Sequence, residues 1–234
     1  MGFSIAKHVA AVGIALVVSI GSSANAQSTN NAWDGGYIGL QAGYGMGDAD
    51  WALNGNGWWG VANPANNGTS FSTDGFVGGI HGGYGMTNQN NMYWGIDAEF
   101  NFADLSESKP SPAFPGIDTW LVEVGSIWNV SGRLGTVRNN TLFYASAGIA
   151  GADVESLATP PFDQAKELHI GYTLGLGGEY LINPNMSLGV NYKYYDFGSE
   201  NHPFNAACGP CGPGDGRRVS LETHVLSLRL STRF

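Results

Sequence analysis

Charge is scarce in this chain. Asp, Glu, Lys and Arg make up 12% of its 234 residues, and the basic ones are the scarcer, 10 against 19 acids. An acidic balance of this kind excludes nucleic acid as a partner, because phosphate backbones are bound through basic surfaces. Cysteine is almost absent: Cys208 and Cys211 are the two present, too few for a structural zinc site. The five histidines (His8, His81, His169, His202, His224) show no metal-ligand spacing, and no G-x-S-x-G nucleophile elbow occurs. Long hydrophobic runs are missing as well. The apolar run from Val9 to Ile20 is too short to span a bilayer, and nothing beyond residue 26 approaches the roughly 20 residues a transmembrane helix needs.

The short run at the front has its own logic. Lys7 and His8 precede it, and the small residues of GSSANAQ follow, with Ala24 and Ala26 at positions minus three and minus one of a cut before Gln27. Residues 1–26 are therefore expected to be a cleaved export signal, with no Cys after the cut to take a lipid anchor. Residues 27–234 are expected to be the mature domain. Losing Lys7 leaves 9 bases against 19 acids, a net charge of −10.

What the mature chain does have is glycine, 36 residues over the whole sequence, and 12% aromatics, with a mean hydropathy of only −0.09. An exported, Gly-rich and aromatic chain without a spanning helix points to a closed barrel, the other structure that satisfies every backbone polar group in lipid. Period-2 alternation supports this. In YIGLQAGYGM, Ile38, Leu40, Tyr44 and Met46 oppose Gly39, Gln41 and Gly43. Similar stripes run through Phe76–Met86, Met92–Phe102, Ile170–Tyr180, Met186–Tyr194 and Leu226–Phe234. WLVEVGSIWNVSGRLGT is expected to turn Trp120, Val122, Val124, Trp128, Val130 and Leu134 outward, with Glu123, Asn129 and Arg133 inward. A weaker stripe covers residues 141–154, and its facing is open.

Connections between these stripes alternate long and short: 47–74, 87–91, 106–119, 137–140, 155–167, 182–185 and 198–223. The short ones, TNQNN, VRNN and INPN, carry Asn and Pro turn chemistry. The expectation is an all-β fold: an eight-stranded antiparallel up-and-down transmembrane β-barrel with four long extracellular loops and three short periplasmic turns.

The blocks WDGGYIGLQAGYGMGDADW, SGRLGTVRNNTLFYASAGIA, GYTLGLGGEY and VNYKYYDFG, with the closing strand, resemble the small outer-membrane β-barrel domain family. Its members include the opacity-type and porin-family surface proteins of Gram-negative bacteria. The resemblance covers nearly the whole mature chain and implies residence among outer-membrane lipids and lipopolysaccharide. It also implies that the terminal Phe234, behind alternating apolar residues, is the label read by the barrel-insertion machinery. Members often carry an acid and an Arg where this chain has Asn191 and Lys193.

Inside such a barrel the inward charges would be Asp97, Glu99, Glu123 and Glu179 against Arg133, Lys193, Arg229 and Arg233. Eight strands leave a lumen just wide enough for side chains, so these are expected to form a packed ion-pair plug rather than a selectivity constriction. Trp51, Trp58 and Trp59 fall in the first long connection, as contact residues or interface anchors, while Trp120 and Tyr194 are assigned to the membrane-interface belt. The four long connections together hold eleven acids against four bases.

The functional expectation is a non-enzymatic, cofactor-free surface protein with a side-chain-filled lumen, contributing to envelope integrity or to surface interaction with a ligand or host factor. A small conduit for ions or solutes is the alternative, as is a haem-type ligand binder, suggested by some members of the family it resembles. Cys208 and Cys211 sit in AACGPCGPGDG, a Gly/Pro-rich segment that cannot open a thioredoxin-like helix, so export should oxidise them to a disulfide. So small a ring adds little chain constraint. Replacing both with Ser should leave membrane insertion and heat-modifiable gel migration unchanged, and thiol labelling of whole cells should rise only after reductant; full labelling without reductant would refute the disulfide.

Overall fold

The computed structural model describes residues 32–54, 68–111, 116–159, 163–203 and 216–234. Eight strands follow one another, β1 (Gly35–Asn54), β2 (Gly68–Thr87), β3 (Met92–Pro110), β4 (Thr119–Arg138), β5 (Thr141–Thr159), β6 (Asp163–Asn183), β7 (Met186–Pro203) and β8 (Gly216–Arg233). Each pairs antiparallel with its neighbours, and β8 returns to β1 to close the barrel. The seam runs from Tyr37 opposite Arg233 to Asn54 opposite Gly216. Phe234 continues it, exchanging backbone hydrogen bonds with Gly36 at 3.0 and 2.9 Å. Closure removes the unpaired edge that lipid would not tolerate.

The three short turns are built by asparagine. Asn91 (φ 58°) and Asn139 (φ 51°) adopt left-handed backbone, which Asn accepts more readily than other side-chain-bearing residues. Asn88 Oδ1 takes the amides of Asn90 and Met92, and Asn183 Oδ1 takes that of Asn185.

The strands run further than their alternation suggests, because the alternation inverts partway up. Near the turns the outward positions of β1 are Ile38, Leu40, Tyr44 and Met46 and the inward ones are polar or Gly; above them Asp48 and Asp50 face out while Ala49 and Trp51 face in. β8 does the same: Leu230, Leu228 and Leu226 face out, then Glu222, while Arg229 below gives way to Val225, Leu221 and Val219 inside. Ile38 through Met46, at about 3.3 Å per residue and a tilt near 40°, climb roughly 20 Å, most of the ~25 Å apolar band of an outer-membrane barrel. Below that line lipid lies outside, so the wall is apolar and the lumen polar. Above it water lies outside, and the interior supplies the hydrophobic core.

Strand β4 shows the transition most sharply. A bulge between Val124 and Ser126 adds one residue and flips the facing, so even-numbered apolar residues point out below it and in above it. Trp120, Val122 and Val124, expected outward, are buried in the upper core; Trp128, Val130 and Leu134 face out as expected. Glu123, expected in the lumen, is exposed on the outer wall for the same reason. Further irregularities interrupt β3 between Phe102 and Leu105 and β7 between Asp196 and Ser199. In β7 the irregularity needs Gly198, at φ 62°, whose amide donates to Asp196 Oδ1 at 2.9 Å.

The inversion shortens the connections. Trp51 lies within β1, and the expected connections at 155–167 and 198–223 contract to 160–162 and 204–215. Trp58, Trp59, Cys208 and Cys211 fall outside the described residues. Ile96, outward and 63% exposed, marks the lipid-facing band. Ile96→Arg should cost about 2–4 kcal/mol in detergent-to-lipid unfolding titrations if it sits near the midplane, whereas Glu123→Gln should stay within about 0.5 kcal/mol; the reverse order would mean that the facing of these strands is misplaced.

Candidate functional site

The interior of the barrel is stacked in three tiers. At the periplasmic end an aromatic floor packs Trp33, Tyr93, Val137, Leu142, Tyr144 and Leu181. Glycines make room for it: Tyr37 lies across Gly83, where a Cβ would come within 2.5 Å of its hydroxyl. Above this floor sits the charge network, and above that the apolar core of Trp51, Phe71, Leu105, Trp120, Phe197, Leu221 and their neighbours.

Seven of the eight sequence-predicted lumen charges meet in the middle and lower tiers, all buried. Asp97 is gripped from two sides, by Arg133 Nη2 at 3.0 Å and Arg229 Nη2 at 3.0 Å, and accepts from Tyr37 Oη at 2.8 Å. Glu99 takes Arg229 Nη1 at 2.5 Å and Lys193 Nζ at 2.9 Å on one oxygen, and the amides of Asn129 (3.0 Å) and Gln41 (3.2 Å) on the other. Glu179 bridges Arg133 (3.1 Å) and Arg233 (3.3 Å) and accepts from Ser187 Oγ at 3.1 Å. Lys193 also donates to Asn129 Oδ1 at 2.7 Å. Asn129, opposite Glu99 on the β3–β4 ladder, thus joins a lysine to a carboxylate.

Glu123 does not belong to this network. Without it the network holds three acids and four bases, one positive charge in excess of the four-against-four expectation. Aromatic faces carry the surplus. Arg233 shares its carboxylate with Arg133, and its guanidinium lies 4.3 Å from the Trp33 ring centroid and 5.0 Å from that of Tyr37. Arg133 lies 4.3 Å from the Tyr144 ring. A cation over an aromatic face gains about 2 kcal/mol or more once desolvated.

The upper tier is the part that sequence reading missed. Trp51 and Trp120 pack with ring centroids 4.7 Å apart, inclined by 37°, and Arg217 lies 4.7 Å over Trp51. Trp120 is therefore a core residue rather than a belt residue, while Tyr194 faces outward and donates to Glu222 at 3.0 Å. A polar cluster is embedded in the wall here. Arg217 Nε donates to Ser156 Oγ at 2.8 Å, Ser156 Oγ contacts His202 Nδ1 at 2.8 Å, and His202 Nε2 faces His169 Nε2 at 2.9 Å. His202, above the membrane band, is pushed down to about 4 by burial, then by His169 and Arg217. His81, lower down, pairs with Ser231 Oγ at 2.9 Å, and His224 lies outward against Tyr192 and Tyr194. Among the described residues no three or more His, Cys, Asp or Glu side chains converge as metal ligands. The one sequence signal that could have revealed this tier is the switch of apolar parity at strand ends, as in Ala49, Trp51 and Leu53 after Met46.

The network leaves little free space at its own level. A residual void of about 10 Å³ lies between Gln41, Glu99, Asn101, Lys193 and Tyr195, room for about one water. Because Asp97 compensates two guanidiniums, Asp97→Asn should destabilise the folded barrel by about 3–5 kcal/mol, the cost of leaving buried charge uncompensated. Reversible unfolding in lipid checks this, and a change below about 1 kcal/mol would show that the two arginines find other partners.

Comparison with known proteins bears on the same geometry. The chain is 32% identical over 182 residues to the 31 kDa outer-membrane immunogenic protein of Brucella melitensis biotype 1, covering 73% of each. It is 27% identical to the 22 kDa outer membrane protein of Rhizobium leguminosarum bv. viciae, over 75% of this chain and 69% of that one. Among solved structures, the outer membrane protein OprG from Pseudomonas aeruginosa superposes with a TM-score of 0.55 at 12% identity, over 86% of this chain and 97% of that one, a likeness of fold. The model of the outer membrane protein beta-barrel domain matches residues 13–234, and the chain belongs to that family of outer-membrane proteins.

Proposed function

We propose that this outer-membrane barrel is a non-enzymatic, closed-lumen protein that strengthens the envelope and holds its extracellular connections at the cell surface. The observation that carries this reading is the double filling of the interior: a buried ion-pair network at mid-height and a Trp-centred apolar core above it. Burying this much side chain inside the barrel favours a rigid post over an open pore. A relative named as immunogenic fits a chain that presents segments outside the cell. Residues 1–26 serve in this reading as the export signal, and Phe234, held in register against Gly36, is the mark for the insertion machinery.

The alternatives draw less support. The Ser156–His202 contact resembles a catalytic pair, but both residues are fully buried and the Ser156 hydroxyl oxygen is already occupied by Arg217. Haem ligation through His169 or His202 would have to part rings whose nitrogens are 2.9 Å apart inside packed side chains. Planar-bilayer recordings of the refolded mature chain decide between seal and conduit. The expected result is no unitary conductance at neutral pH; steady steps abolished by reductions in lumen charge such as Lys193→Met would overturn the closed reading in favour of a small channel.

A further inference from the structure

The lipid-facing wall is not evenly filled. Towards the periplasmic end of β4–β7 two cross-strand rows face outward, Leu134–Ala145–Leu176–Tyr192 and, one step lower, Thr136–Phe143–Gly178–Val190. Each row sets a small residue among large ones, Ala145 in the first and Gly178 in the second. The result is an apolar groove of about 790 Å³ that opens to the membrane, with Met92 of β3 at its far side. That volume is within the roughly 300–1,000 Å³ of small-molecule sites. Lipid gives no hydrophobic drive to fill such a groove, so what fills it must gain from close packing and from polar contacts at the groove's end.

The polar end is present. The next row down is Arg138–Thr141–Tyr180, at the foot of the groove. Arg138 also lines a polar cleft of about 610 Å³ with Asn91, Val137 and Asn139. The two turns that form this cleft are tied together, Val137 donating its amide to the Asn91 carbonyl at 2.8 Å. Arg138 is exposed, is the single charged residue of the turns TNQNN, VRNN and INPN, and forms no ion pair among the described residues. An apolar groove that ends in an unpaired cation at the membrane edge has the polarity of a lipid, chain above and phosphate below. A second copy of this chain fits less well, because a two-fold contact would set the same hollow and the same Arg138 against themselves. We propose that groove and cleft hold one glycerophospholipid of the periplasmic leaflet, an acyl chain lying over Ala145 and Gly178 and the phosphate against the Arg138 guanidinium. The planar fork of Arg gives phosphate two parallel hydrogen bonds, and the Asn91, Asn139 and Thr141 side chains stand beside it as further donors. The site lies on the outside of the wall and does not depend on whether the lumen is closed.

The test uses the mature chain refolded in detergent with dioleoylphosphatidylglycerol and read by native mass spectrometry. Wild type should keep one lipid at collision energies that strip the rest, whereas dioleoylglycerol, which has the chains without the phosphate, should be lost. A Cβ at Gly178 meets its nearest neighbour, Phe143, at an ordinary 3.5 Å, so Gly178→Leu should fold, fill the groove and abolish retention. Arg138→Gln should weaken retention about fivefold, as expected for one basic residue at an anionic lipid surface. Ala42→Leu, on β1 across the barrel, should change nothing. Compact gel migration verifies each variant. If Gly178→Leu gives no compact band, wild type in vesicles is photolabelled instead by a phosphatidylglycerol carrying a diazirine in one chain, and label should concentrate on residues 134–145 and 176–192. No lipid kept by wild type, equal retention of dioleoylglycerol, unchanged retention in Gly178→Leu or Arg138→Gln, or label spread evenly round the wall would each overturn the site.

Discussion

Everything in this barrel follows from a change of solvent halfway along its strands. A strand that begins against lipid and ends in water cannot keep one face apolar throughout. Below the transition the wall is Leu40, Ile96, Leu174 and Leu228, and the inside is the Asp97–Arg229 network; above it the wall is Asp48, Asp74 and Glu222, and the inside is Trp51, Trp120 and Leu221. The lower half is thus a membrane barrel and the upper half a water-soluble one, sharing continuous backbone ladders. Strands β1 and β8 serve both by keeping their facing and exchanging the chemistry of each face, whereas in β4 and β7 an extra residue exchanges the two faces without breaking the sheet.

That division explains why charges and aromatics are arranged in tiers. Polar groups in the lower lumen have no bulk water to turn to, so each carboxylate there is shared among several donors and the surplus cation is spread over Trp33, Tyr37 and Tyr144. The upper lumen has no lipid outside to hold the wall together, so it relies on ordinary hydrophobic packing, with Phe71 and Trp120 both against Trp51. The two tiers fill the interior by opposite means.

The sequence made the lower half legible and the upper half obscure. Ile38 to Met46 or Leu226 to Phe234 alternate against a uniform environment, so parity alone gives strand, facing and lumen residues; Asp97, Glu99, Glu179 and Arg229 follow from it. Parity fails where the environment changes. Trp120, Val122 and Val124 look like a continuation of Trp128 and Val130 because the bulge at Gly125 and the change of solvent occur together, each hiding the other, and Glu123 was carried to the wrong side with them. His202 and Arg217 were unreadable for another reason: their partners Ser156 and His169 come from strands distant in the chain, and nothing local announces that β6 and β7 part company above Tyr172.

One outward feature has mechanical force. Asp48, Asp74, Asp104, Glu123, Asp153, Asp196 and Glu222 stand on seven of the eight strands along the upper edge of the greasy band. Sinking the barrel by a single pair of residues would drag this ring of carboxylates into hydrocarbon, and raising it would lift leucines and phenylalanines into water. The ring therefore acts as a flange that fixes immersion depth. It also makes installation directional: the polar collar crosses the bilayer once, during assembly, and thereafter stands as a detent against withdrawal toward the periplasm.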